Sequence, residues 1–569
     1  MGEIMPKSGA FTFVLHSHLP YARSAGRWPH GEEWVHEALA ETYIPLLNAL
    51  TDLYESGVGV RITIGLTPIL SEQLADDAIK SNFLDYLDQK IDAASADVPR
   101  FEKLGDAQGK FLAGYYRDGY AGIKSSFVDR YGQDILGGFR RLQDAGVIEI
   151  VTCAATHGYL PLLSCDTSIR AQLRAGVESY KRHFGRAPRA IWLPECAYRP
   201  AYLQNGEIVR PGIESFLAEQ GLKLFFGETH TVEGGRPVGK AAGDAIGPYG
   251  DIVRRYVVPP GETIEPTHRT TYRPYFVLKT ETNTKVRSSE AEHSGVSVMG
   301  RNNRTGLQVW SAEWGYPGDY DYREFHKKDG TSGMQYWRVT GARVDLGMKD
   351  YYHPDSAAHK VGEHARHFAW LVSDLLSQVA AENDGQFGII AANYDTELFG
   401  HWWFEGVEWI KQVLANLAAS DKVELMTASD YLEAHPPTEV LSLPEGSWGQ
   451  GGGHFVWDNV DTHWMWKPIH KAESRMERLV ARKDGRTEDE ELVLKQAARE
   501  LLLLQASDWP FLVTTGQAKE YAVHRFAQHV ERFDALADSL ERGQPDVALA
   551  QDLWERDKVF PDVDWRWWE

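Results

Sequence analysis

The stretch "RAIWLPECAYRP", residues 189 to 200, runs apolar and then sets an ionisable carboxyl, Glu195, directly behind Pro194. A strand fit for burial that ends on an acid raises a question about what surrounds its end. The same pattern recurs along the chain. "FTFVL" leads to His16, "RITIGL" to Thr67, "VIEIVTCAAT" to His157, and "LKLFFG" to Glu228. "FGIIAANY" leads to Asp395, and "VELMT" to Ser429 and Asp430. Helical patterns such as "HEALAETYIPLLNALTDLYESG" and "QLRAGVESYKRHFG" lie between most of these runs. Alternating strands and helices predict an α/β fold with a parallel sheet. Polar residues at strand C-termini are where a (β/α) barrel keeps its chemistry. Roughly seven such units predict a distorted (β/α)7 barrel rather than an open sheet.

Two interruptions break the alternation. Residues 76–140 are mostly helical and amphipathic, too long for a loop, and are expected to form an inserted helical subdomain. Residues 228–300 are rich in Gly, Pro, Thr and charge with little periodicity, as in a lid or binding loop. After "EAHPP" comes the Gly/Trp-rich "PEGSWGQGGGHFVWDNVDTHWMW". Beyond it, "DEELVLKQAARELLLLQASDWPFLV" and "YAVHRFAQHVERFDALADSL" carry the 3.6-residue apolar period of packed helices. The expected organisation is a catalytic barrel from 1–75 and 141–436, the insertion at 76–140, and a C-terminal all-helical domain at 437–569.

Composition narrows the function classes. A net charge of −21 argues against nucleic acid as a partner and suits a neutral substrate. The three cysteines, Cys153, Cys165 and Cys196, lack C-x-x-C spacing, which speaks against a disulfide framework and fits a reducing compartment. The N-terminal apolar run is too short for a secretory signal, and no run reaches about 18 uninterrupted apolar residues. A cytoplasmic protein with no membrane span is expected. Its 19 tryptophans exceed what core packing usually asks for, and flat indole faces suit sugar rings.

The carboxylates set the chemistry. Glu195 alone could be a catalytic acid or the partner of Arg199 in a salt bridge. "NYDTELFGHWWFEG", residues 393–406, ends a second strand on Asp395 and continues through Glu397, His401, Trp402 and Trp403. Two carboxylates on different strand ends of one barrel can face each other across a cleft. Glycoside hydrolysis needs such a pair, one to protonate the leaving oxygen and one to attack or to activate water. Pattern alone leaves Asp395 and Glu397 as alternatives for the acid. In "HSHLPY", His16 and His18 stand at i, i+2 and point the same way. With His157 and Asp395 they could ligate zinc, or they could bond sugar hydroxyls or simply line the barrel mouth. No H-E-x-x-H or Cys/His ladder supports a metal.

The ordered motifs "HSHLPY", "THGYLP", "WLPECAY", "VWSAEWGYPGDYDYREFH" and "YDTELFGHWWFEG" resemble glycoside hydrolase family 57. "SWGQGGGHFVW" and "LLLLQASDWPFLVTTGQA" extend the likeness over nearly the whole chain, and it is nearest to the family's 1,4-α-glucan branching enzymes. The resemblance implies a retaining α-glucan enzyme with a (β/α)7 barrel, a helical insertion and a helical C-terminal domain that completes the cleft. It implies no metal or organic cofactor. Glu195 takes the nucleophile position and Asp395 the general acid/base position. His16 and His157 would line the donor subsite, with His18, His401 and Trp402 as further substrate contacts. Trp28, Trp310, Trp448 and Trp457 match family tryptophans near the cleft. A loop tyrosine linked in the family to transfer over hydrolysis corresponds to Tyr249, with Tyr256 as competitor. Extra charged sequence, "KTETNTKVRSSEAEHSG", departs from the family pattern near that loop. The implied donor and acceptor are α-1,4-glucans. Rival readings are an α-amylase-like hydrolase on the same site, a zinc-dependent sugar deacetylase or mannosidase, and a non-catalytic glucan-binding protein.

Overall fold

A computed structural model describes residues 7–205, 207–237, 256–259, 261, 263–279, 292–310, 315–341, 343–482 and 485–569. Among them, seven parallel strands close a ring. They are β1 (Gly9–Ser17), β2 (Ile62–Leu66), β3 (Ile148–Val151), β4 (Ala190–Ile191), β5 (Leu224–Gly227), β6 (His293–Gly300) and β7 (Gly388–Asp395). Parallel ladders join β7 to β1, β1 to β2, β2 to β3, β4 to β5 and β5 to β6. The other two seams are thin. An isolated parallel bridge, Thr152 to Ile191, links β3 to β4. Past the end of β6, the Asn302 N–H donates to the Ala391 carbonyl of β7 at 3.1 Å. Those seams make the (β/α)7 barrel a distorted one.

Every residue of β1 is buried, as expected for a strand covered on both faces. Successive side chains alternate sides. Ala10 and Val14 of β1 and Ile389 and Ala391 of β7 share one apolar cluster with β4 and β5. Phe11, Phe13, Leu15, Ile390 and Ala392 belong to another, beneath the helix Pro354–Glu382. There Phe13 stacks on Phe368 with ring centroids 6.0 Å apart. Each such buried side chain contributes about 1.5–3 kcal/mol. His16 falls in step with Ala10 and Val14, and Asp395 with Ile389 and Ala391, and the two are register partners at the end of the β1–β7 ladder.

The ring differs from the sequence expectation at one member. "VELMT" yields only the three-residue strand Val423–Leu425, which pairs with the N-terminal half of β1 outside the ring. The seventh place goes to β6, inside the stretch expected to be irregular. Its sequence "HSGVSVMG" interrupts the β-branched run with Gly and Ser. Pairing with β5 on one side and Tyr275–Leu278 on the other overrides that weak local signal.

Helices Asp77–Leu104 and Ala107–Ser125 form a hairpin beside the ring. Asp76 and Asp106 cap their N-termini, and Gly105 ends the first in the left-handed region. The C-terminal helices include His463–Val480, Glu488–Leu504, Asp508–Thr515, Lys519–Glu541 and Val547–Arg556. Glu488–Leu504 opens with a capping box from Thr487 and Glu490, and its last four leucines are buried. These helices share their apolar cluster with β4 and β5, so the C-terminal region is seated on that side of the barrel.

Candidate active site

The strand ends are bent so that their polar residues meet. Glu195 has φ 62° and ψ 23°, and His157 has φ 57°, both in the left-handed region that non-glycine residues seldom adopt. Such conformations cost about 1–3 kcal/mol each and persist where surrounding structure holds them. Here the holding contacts come from the C-terminal region. Tyr198 and Gly446 exchange two backbone hydrogen bonds, and the Trp448 N–H donates to the Glu195 carbonyl at 3.0 Å. The Ser507 N–H donates to the His157 carbonyl, also at 3.0 Å.

A cavity of about 240 Å3 opens at this end of the barrel. Glu195, Asp395, His16, His18 and His157 line it, together with Trp310, His401, Trp402 and Trp448. Trp28 does not; it stands 79% exposed at the surface. Trp457 does not either, being fully buried and stacked on Tyr159 at 4.5 Å. Tyr249 lies outside the described residues. Tyr256 donates to Asp461 Oδ2 at 2.6 Å and packs against Phe455, away from the cavity lining.

Glu195 is held at both oxygens. Oε2 accepts from Trp448 Nε1 at 2.6 Å, and Oε1 from Ser507 Oγ at 3.0 Å. Ser507 Oγ also bonds His157 Nδ1 at 2.8 Å, while His157 Nε2 bonds His16 Nε2 at 3.0 Å. Arg199 takes no part: it is buried elsewhere, with Nη1 on the Pro200 carbonyl. Burial pushes the Glu195 carboxyl from 4.5 up to about 7, and the Trp448 hydrogen bond holds it from rising further. Burial raises Asp395 well above the usual carboxylate range, and the charges of Glu397 and Glu195 add to the rise. Arg301 pulls it back. Glu397 is pushed up to about 7 by burial, tempered by the Tyr43 hydroxyl that donates to it.

The histidines divide by proton affinity. Burial lowers His16 and His157 far below their ordinary value. His16 stacks on Trp192 at 4.7 Å, which fixes its ring. Burial opposes charge on His18 as well, but Asp508, 2.9 Å from its Nε2, outweighs that and raises it. His401 is raised in the same way by Glu41, 2.8 Å from its Nδ1. His18, His157 and Asp508 offer donor atoms within 4.8 Å of one another, a spacing a cation could bridge. Both ring nitrogens of each histidine are already engaged, His18 with Thr67 and Asp508, His157 with Ser507 and His16. A metal would have to displace that network.

Ser507, Asp508, Phe511 and Leu512 were not singled out from sequence, yet Asp508, Phe511 and Leu512 line the cavity and Ser507 bonds Glu195. The available signal was the polar pair Ser507-Asp508 set between two apolar runs in "LLLLQASDWPFLV".

Residues 12–444 match the glycosyl hydrolase family 57 pattern, and residues 468–568 match that of the 1,4-alpha-glucan branching enzyme C-terminal region. A 1,4-alpha-glucan branching enzyme of Thermococcus kodakarensis is 46% identical over 98% of this chain and 78% of its own length. The crystal structure of a family 57 branching enzyme from that archaeon superposes with a TM-score of 0.85, covering 99% of this chain and 96% of the other. The α-amylase AmyC of Thermotoga maritima is 30% identical with a TM-score of 0.79, over 98% of this chain and 99% of the other. With a barrel of this form and this extent of agreement, the chain belongs to glycosyl hydrolase family 57.

Proposed function

We propose that the protein is a 1,4-α-glucan branching enzyme, a retaining transglycosylase that breaks α-1,4 linkages and forms α-1,6 branches. The match of residues 468–568 to the branching-enzyme C-terminal pattern supports branching, and the unequal footing of two carboxyls in one cavity carries the retaining chemistry. Two donors stabilise the ionised form of Glu195, whereas Asp395 faces two negative neighbours. The group better able to ionise serves as nucleophile, and the one that keeps its proton serves as acid. Glu195 attacks the anomeric carbon while Asp395 gives its proton to the leaving oxygen. The resulting glycosyl–Glu195 ester is then attacked by the 6-hydroxyl of an acceptor glucan, with Asp395 taking that proton. Trp310, Trp402 and Trp448 supply apolar surface for sugar rings, and neutral His16 and His157 line the cavity without adding charge. Tyr249, in the segment ahead of Tyr256, is proposed to favour transfer over hydrolysis.

A second reading, hydrolysis at the same site, is favoured by the likeness to the α-amylase AmyC. Incubation with amylose separates the two. New α-1,6 branch points are expected to outnumber new reducing ends, and an excess of reducing ends would overturn branching in favour of hydrolysis.

A further inference from the structure

A second cavity, of about 430 Å3, falls within the roughly 300–1,000 Å3 range of ligand sites. His401 lines the active-site cavity, Glu41 lines this one, and the 2.8 Å hydrogen bond between them joins the two. Its walls come from the hairpin helix Ala107–Ser125, which brings Tyr115 and Tyr120, and from Tyr352 and Phe404.

Of the four carboxylates that line this cavity, Glu41 and Asp52 are matched by cations, whereas Glu405 and Glu408 form no ion pair among the described residues. Asp52 meets Lys411 at 3.0 Å and Arg130 at 2.9 Å. Glu41 meets His401 and, at 3.7 Å, Arg323. Glu405 Oε1 accepts from the Arg323 backbone N–H at 3.0 Å, while its Oε2 accepts no hydrogen bond. This surplus of carboxylate turns anions away and leaves oxygens able to accept from hydroxyl groups. Aromatic faces beside hydrogen-bond acceptors suit a neutral polyol with one apolar and one hydroxyl-bearing side.

Gly114 and Gly122 of the hairpin helix are as open as Gly119, but only Gly119 lines the cavity and so offers a place to block it. Gly119 sits in the interior of the helix Ala107–Ser125, where glycine costs about 1 kcal/mol relative to alanine. A Cβ there would meet nothing within 4 Å, so packing does not require its absence. Gly119 lines the cavity, and its missing side chain keeps that space open.

We propose that this cavity is a second glucan-binding site, holding a stretch of α-1,4-linked chain away from the reacting bond. The choice of sugar rests on the function proposed above; the site itself rests on the cavity and its aromatic walls.

Gly119→Leu fills the space while improving helix propensity, and its thermal midpoint separates a loss of binding from a loss of fold. In a Glu195→Gln background, which blocks turnover, maltoheptaose titrated by calorimetry is expected to show two classes of site, and adding Gly119→Leu should leave one. In the active chain, Gly119→Leu and Tyr115→Ala should each raise KM for amylose about tenfold with kcat unchanged. The thermal midpoint of Gly119→Leu should hold or rise. A single class of site in Glu195→Gln, or an unchanged KM in a folded Gly119→Leu, would overturn the proposal. A wild-type chain inert on amylose would instead overturn the substrate class, and the maltoheptaose stoichiometry would still decide the cavity.

Discussion

The ends of β4 and β7 place two carboxyls in the same cavity and treat them in opposite ways. At β4 the chain turns through a left-handed residue, and the 446–448 and 507 segments bring an indole N–H and a hydroxyl onto Glu195. At β7 the strand runs straight to Asp395, which meets Glu397 and Glu195 rather than donors. Both are buried, so burial raises both. What separates them is hydrogen bonding against charge repulsion. A site can therefore differentiate two like groups without differing in depth.

The comparison breaks first at Glu195. Glu195→Gln is nearly isosteric and removes the proposed nucleophile, so turnover on amylose should fall by at least about 10⁴-fold with circular dichroism unchanged. An active variant would mean that the two ends have been assigned the wrong way round.

Asp395→Ala should cost about 10²–10⁴-fold on amylose, the usual weight of a general acid. Its loss should shrink on an aryl α-glucoside whose leaving group needs no proton, because only the first step is then relieved. Equal losses on both substrates would remove Asp395 from the acid role.

Trp448→Phe sharpens the comparison by taking one donor from Glu195. A hydrogen bond to a charged group contributes about 1.5–3 kcal/mol, and one pKa unit is about 1.4 kcal/mol. The acidic limb of kcat/KM, expected near the Glu195 value of about 7, should move up by about one unit or more. Activity would then fall more at pH 6 than at pH 8. A limb that stays in place would show that another group sets it.

The smallest effect is on stability. Glu195 titrates at about 7 when folded against 4.5 ordinarily, so folding favours its protonated form. That stability is present below 4.5 and is lost as pH rises through about 7. Glu195→Gln should match the wild type in acid and exceed it by up to about 3 kcal/mol above neutrality, read from unfolding curves across that range. A gap that does not change with pH would contradict the buried, raised carboxyl.

Much of the barrel was legible because a parallel strand buried on both faces is apolar along most of its length and turns polar where it leaves the sheet. "FTFVLH", "AIWLPE" and "IIAANYD" carry that mark, and each ends in the cavity. β6 escaped because its Gly and Ser hide a strand whose partners lie far away in the chain. Trp457 shows the opposite failure. An indole suits a sugar, a core or a surface equally well, and sequence alone does not say which side of the wall it occupies.

The chain's own pattern settled which residues are chemically equipped and that they sit at strand ends, since alternation and apolar runs are local properties. How burial, donors and charge shift each carboxyl's proton affinity was decided only in three dimensions. The donors to Glu195 arrive from residues 448 and 507, more than two hundred and fifty positions away, and the repulsion at Asp395 needs Glu195 across the cavity. Proton affinity depends on distance and burial, and neither exists until the barrel has closed.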